Sequence, residues 1–132
     1  MARPLSILVV DDQVSTRTLI AEALAEDRDA SVMLANDGDH AYRMVLAHRF
    51  DAIVCDVKME PVDGLAFLRA IRTNKDAKIR KIPVIVMTTT ATHDVVMAAH
   101  QWEATAIMAK PVSIAMLKAR LKSIREEKTQ PR

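Results

Sequence analysis

Glycine occurs only twice, as Gly38 and Gly64, and this scarcity alone removes two function classes. Neither a P-loop nor a dinucleotide-binding fingerprint can be written with two isolated glycines. Cysteine occurs once, as Cys55 inside an apolar run, where a thiol behaves as a small hydrophobe. A disulfide framework is therefore excluded, and a reducing, cytoplasmic location is expected. No apolar run approaches the length of a membrane span, and Met1-Ala2-Arg3-Pro4 leads almost directly into the first apolar run without a signal-peptide core. Neither membrane insertion nor export is expected. Charge of either sign is not in excess: 19 Lys and Arg face 17 Asp and Glu, which gives no case for nucleic acid or a membrane as partner. Lys118, Arg120, Lys122 and Arg125 do cluster near the C-terminus, but aromatic residues to stack bases are missing there, and a solvated face is the expectation. Repeats, low-complexity tracts and linkers are absent as well. A chain of 132 residues, half of them hydrophobic, fits one domain over residues 1–125 with a frayed tail from 126 to 132.

What the chain does have is a series of short apolar runs ending in polar residues. Ala52-Ile53-Val54-Cys55-Asp56 shows no polar alternation, the pattern of a strand buried on both faces of a parallel sheet. Ile7-Leu8-Val9-Val10 is a second such run and ends on Asp11-Asp12; Val84-Ile85-Val86-Met87 ends on Thr88-Thr89-Thr90; Thr105 to Ala109 ends on Lys110-Pro111. Val32 to Ala35, followed by the turn Asn36-Asp37-Gly38, completes five strands.

Between them run helical patterns. Leu19, Ile20, Ala23 and Leu24 form the inner face of a helix over 14–26; Ala41, Met44, Val45 and His48 that of the next. Gly64 opens a third with Leu65, Leu68 and Ile71 inward, and a basic connector from Asn74 to Lys81 follows it. Val95, Val96, Ala99 and Trp102 mark a fourth helix, and Ile114, Leu117, Leu121 and Ile124 a fifth. His93 and His100 lie seven residues apart on the fourth helix, about 10 Å along its axis, too far to share an ion. Five strands alternating with five helices predict a doubly wound α/β fold, because parallel neighbours need crossovers and these are right-handed.

In such a fold Asp11, Asp12, Asp56, Thr88 and Lys110 all reach the carboxyl end of the sheet, where ligands bind. Three converging carboxylates repel one another unless cations compensate. Mg²⁺, a hard ion that takes oxygen ligands alongside phosphate, fits best; with the Lys110 ammonium it would balance the three acids. A phosphoryl group suits this site. The metal and lysine can spread over its oxygens, Thr88 can donate a hydroxyl, and a carboxylate can act as nucleophile to form an acyl phosphate.

With Val9-Val10-Asp11-Asp12, Asp56, Met87-Thr88 and Lys110-Pro111 in order and in register, the chain resembles a stand-alone response-regulator receiver domain of two-component signalling over essentially its whole length. The resemblance implies the strand order 2-1-3-4-5. It implies Asp56 as phosphoacceptor, Asp12 as a direct metal ligand, Asp11 as a ligand through water and the backbone carbonyl of Lys58 as another, with Thr88 and Lys110 on the phosphoryl group and a cis Lys110–Pro111 bond. The implied partners are a sensor histidine kinase or a histidine phosphotransfer protein, which would supply the phosphoryl group. An output protein would read the fourth helix, fifth strand and fifth helix, where His100 and Arg120 are candidate contacts or the seam of a homodimer formed on phosphorylation. An attached effector domain is not expected, so the signal is expected to leave by protein contact or onward phosphoryl transfer, and the only catalysis expected is of the chain's own phosphorylation and dephosphorylation.

Four positions depart from the family pattern. The proline usual four residues after the acceptor is displaced, Glu60-Pro61 standing there; Thr89 replaces a smaller residue; Ile107 replaces an aromatic one; and Trp102-Glu103-Ala104 replaces a glycine-containing turn. Lys58, two residues past Asp56, is expected to shield an acyl phosphate from water. A haloacid-dehalogenase-type phosphatase would need a second aspartate where Lys58 stands. The alternative is a receiver fold that binds partners without phosphorylation; its usual mark, loss of an acid or the lysine, is missing.

Overall fold

A computed structural model of the chain describes residues 3–60 and 62–129. Its strands are β1 (Leu5–Val10), β2 (Ala30–Ala35), β3 (Ala52–Asp56), β4 (Val84–Thr88) and β5 (Ala106–Ala109). Its helices are α1 (Val14–Ala25), α2 (Gly38–Ala47), α3 (Gly64–Arg72), α4 (Ala77–Arg80), α5 (His93–Gln101) and α6 (Ile114–Thr129). The strands form one parallel sheet in the expected order β2-β1-β3-β4-β5.

Period-two alternation divides the apolar runs between two cores, as a strand's side chains must. Ile7, Val9, Val54, Ile85 and Met87 join Ile20 and Leu24 of α1 and Leu117, Leu121 and Ile124 of α6 on one face. Leu8, Val10, Ile53, Cys55, Val84 and Val86 join Val45 of α2 and Phe67, Leu68 and Ile71 of α3 on the other. Every residue of β3 is buried, which explains the missing polar alternation.

Side chains fix most helix starts. Asp37, Asp63, Asp76 and Thr92 accept hydrogen bonds from the backbone N–H groups of His40, Ala66, Lys78 and Val95, satisfying donors that a first helical turn leaves unpaired.

Several expectations need correction. Leu19 is exposed because the buried stripe of α1 is narrow and runs through Ile20 and Leu24; Leu19 falls beside it. His48 is exposed because the chain has already left the helix there, with φ −134° and ψ 156°. The connector between α3 and β4 contains the short helix α4, capped by Asp76, so the described residues hold six helices rather than five. The last helix runs from Ile114 to Thr129, and 130–132 lie outside the described residues. Pro61 lies outside them too; its neighbour Glu60 is exposed.

Candidate functional site

The register of the sheet brings Asp11, Asp12, Asp56, Thr88 and Lys110 to one end, since β1, β3, β4 and β5 all finish there. A carboxylate oxygen from each of Asp11, Asp12 and Asp56 lies within 4.8 Å of the others, the one such acidic group among the described residues. Asp11 and Asp56 are buried and Asp12 is exposed. Lys110 Nζ bridges the two buried acids, 3.0 Å from Asp11 Oδ2 and 3.3 Å from Asp56 Oδ2, and its side chain is itself only 7% exposed. The Lys110–Pro111 bond is cis, as expected.

The charges do not balance. Burial and then the neighbouring Asp11 charge push the Asp56 carboxyl above its ordinary range, against the pull of Lys110. Burial opposes the charged form of Lys110, but hydrogen bonding and charge from Asp11 and Asp56 together outweigh it and raise its pKa. One ammonium thus serves two buried carboxylates with a third, Asp12, beside them, and an incoming cation would relieve the remaining negative charge. The donor set fits Mg²⁺: three hard carboxylate oxygens close together, one acid facing solvent, and no soft ligand. The thiol nearest the site, Cys55, is buried and driven toward its protonated form by that burial and by Asp56.

Thr88 is buried, and its hydroxyl both donates to the Thr90 carbonyl and accepts from the Thr90 N–H, each at 3.1 Å. Thr88 pairs with Ala109 and Val86 with Ile107, so Thr88 and half-buried Ile107 share one face of neighbouring strands. The exposed side chain of Lys58 belongs to the loop after β3. Both glycines hold that loop: Gly38 N–H donates to the Val62 carbonyl and Gly64 N–H to the Val57 carbonyl, each at 2.9 Å. A Cβ at Gly64 would stand 2.0 Å from the Asp56 carbonyl oxygen, and one at Gly38 would stand 2.7 Å from Val62. The two glycines serve close backbone approach beside the acids, a role their number alone did not reveal.

The family model for the response regulator receiver domain matches residues 7–122. The chain belongs to this family. The receiver domain is 31% identical over 124 residues to a probable chemotaxis protein CheY of Rhizobium etli, covering 94% of this chain and 95% of that one. It is 30% identical over 122 residues to the chemotaxis protein CheY of Pseudomonas aeruginosa, covering 92% and 97%. Among solved structures, the chemotaxis protein CheY4 of Vibrio cholerae superposes with a TM-score of 0.83 at 27% identity, covering 93% of this chain and 99% of that one. Receiver domains are signalling modules that meet histidine kinases or phosphotransfer proteins and output proteins, and they characteristically bind Mg²⁺ at an acidic cluster of this kind. No helix among the described residues is long and apolar enough to cross a membrane.

Two residues beside the receiver site escaped the sequence reading. Gln13 Oε1 lies 3.4 Å from Lys110 Nζ, and its N–H donates to Asp11 Oδ1 at 2.9 Å, which replaces a side-chain cap on α1. Arg17 reaches back one turn and donates to the Asp11 backbone carbonyl at 2.7 Å. The only signal for either was nearness to the acidic pair. The imperfect turn Trp102-Glu103-Ala104 is also resolved: Glu103 takes the left-handed conformation, φ 55°, that glycine usually supplies at a helix end.

Proposed function

We propose that the chain is a phosphorelay response regulator that accepts a phosphoryl group on Asp56 from a phosphohistidine of a sensor kinase or phosphotransfer protein. The observation that carries this reading is Lys110 Nζ seated between Asp11 and Asp56 in a cleft that still has excess negative charge. An Asp56 carboxylate oxygen attacks phosphorus while the bond to the donor's imidazole nitrogen breaks, its electron pair returning to the ring, so an acyl phosphate and a free histidine result. Asp11, Asp12, Asp56 and the Lys58 carbonyl would hold Mg²⁺, which when bound offsets the charge on the transferring oxygens. Lys110 binds one phosphoryl oxygen and keeps its proton, as its raised pKa requires.

Thr88 supplies the switch. Its hydroxyl can reach the phosphoryl group only by giving up the Thr90 carbonyl, which loosens the Thr88–Thr90 turn and shifts the population between two packings of the loop leading to α5. Ile107, on the same sheet face, is the side chain available to follow, and α5, β5 and α6 form the output surface, with exposed His100 and Arg120 open to a partner or to a second copy. In this reading residues 1–125 act as a cytoplasmic receiver, catalysing only their own phosphorylation and dephosphorylation, and Lys58 over the acyl phosphate slows hydrolysis.

Incubation of wild type and Asp56→Asn with acetyl phosphate and Mg²⁺ tests the assignment. Labelling of the wild type alone is expected, and equal labelling of both would overturn it. Amide chemical shifts with BeF₃⁻ and Mg²⁺ test the route: changes should reach residues 92–109, and changes confined to the loops around Asp56 would place the output elsewhere.

A further inference from the structure

At the end of the sheet away from the acidic cleft, the chain leaves α2, turns through His48 and Arg49 and enters β3, beside the point where α4 runs into β4. A furrow of about 400 Å³ lies between these segments. Its floor is apolar: Val45, Phe50 and Ile82 are buried, Ile79 is half-buried, and Leu46 stands 58% exposed at the edge. Its rim is cationic. Arg49, Lys78 and Lys81 are all exposed, and the only lining carboxylate, Asp76, already accepts the Lys78 N–H as the cap of α4. Three rim cations in a chain whose formal net charge is only +2 are a local concentration that the composition hides.

We propose that this furrow is a docking groove for an acidic protein segment that carries an aliphatic or aromatic anchor. The anchor would cover Leu46 and Ile79, and flanking Asp or Glu side chains would meet Arg49, Lys78 and Lys81. Charge complementarity selects this occupant. An apolar floor suits a side-chain anchor, whereas nucleic acid needs several stacking platforms, and of the two lining rings Phe50 is buried and the His48 imidazole alone is exposed. An anionic membrane is a poorer fit, because one exposed leucine gives it little apolar area to gain. The groove is at the amino ends of β3 and β4, while Asp56 and Thr88 lie at their carboxyl ends, so a partner seated there leaves the phosphoryl site open. It would tether the receiver to an assembly in either phosphorylation state.

The test is selection of a displayed random-peptide library on the whole chain, with the double variant Leu46→Ser/Lys81→Glu as counter-target. Leu46 and Lys81 are both exposed, so the variant keeps the core intact, and its circular dichroism and BeF₃⁻ binding check that directly. The expected outcome is an enriched class with acids flanking a Leu or Phe anchor, bound about tenfold more weakly by the variant and by wild type at raised salt. Lys122→Glu, on α6, should leave the affinity unchanged. Enrichment of no such class, equal binding by the variant, or survival of binding when the anchor is replaced by Ser would each overturn the proposal. Preference for anionic vesicles over the peptides, or self-association through the furrow, would overturn it equally.

Discussion

The two ends of the sheet handle buried charge in opposite ways. At the carboxyl end three carboxylates crowd a single ammonium, and Asp56 is held above its ordinary pKa. At the amino end the buried charges are matched. Asp51, 1% exposed, accepts two hydrogen bonds from Arg3 and one from the Ser6 N–H, all at 2.8 Å. Arg72 donates to the carbonyls of Arg80 at 2.9 Å, Ile82 at 2.7 Å and Glu103 at 3.1 Å, tying α3 to the loops before β4 and β5. Arg69, one turn earlier, lies 5.3 Å from the centre of the Trp102 ring. One end therefore stores unfavourable electrostatics that a ligand can release, and the other supplies the stability that makes this tolerable.

The sharpest way to break this division is to push the two layers apart where the acids sit. Gly64→Ala should lower unfolding free energy by about 3 kcal/mol, read from the urea midpoint, because its Cβ meets the Asp56 backbone, which cannot step aside as a flexible side chain would. It should also weaken Mg²⁺ binding, since the chain beside Asp56 must shift.

At the other end, Arg72→Ala should cost about 2 kcal/mol by leaving the Arg80 and Ile82 carbonyls without their donor. Arg72→Lys should recover only part of this, because a point charge cannot serve three carbonyls as the planar guanidinium does. Urea unfolding of both variants checks it.

A third substitution should run the other way. The folded pKa of Asp56 lies above its unfolded value, so its ionised form opposes folding at neutral pH. Asp56→Asn should therefore raise Tm by several degrees at pH 7 without divalent metal. The gain should vanish as pH falls below about 3.9, where the unfolded carboxyl also protonates. Mg²⁺ should narrow the gap by stabilising wild type more than the variant. A thermal melt series over pH, with Mg²⁺ or with a chelator, distinguishes these outcomes.

The smallest effect belongs to Glu103, the non-glycine residue with positive φ among those described. Glu103→Gly should gain about 0.5 kcal/mol: relief of the left-handed conformation is partly offset by the greater freedom of an unfolded glycine. The Arg72 contacts to the residue 103 carbonyl should survive, since they use only backbone, and chemical denaturation would register the difference.

The strand runs and the acids that end them were legible because burial on both faces removes polar residues from a central strand, and that removal is visible at every position of β3. Helix starts were partly legible through Gly64 and the turn at Asp37-Gly38. Leu19 and His48 were misjudged because an apolar or aromatic side chain near a helical stripe looks inward until the width of the stripe and the last helical residue are known.

By itself the sequence determined the alternation of strands and helices, the sheet end to which Asp11, Asp12, Asp56, Thr88 and Lys110 belong, and through the family pattern the strand order. These follow from periodicity and position along the chain, which are local properties. Tertiary structure alone decided that Lys110 bridges Asp11 and Asp56 across 99 and 54 positions, that the two glycines are there for closeness to the acid loop, and that Arg72 reaches a carbonyl 31 residues away. Such contacts depend on how twisted layers pack and on which unpaired backbone group a long side chain happens to reach. No local pattern encodes them.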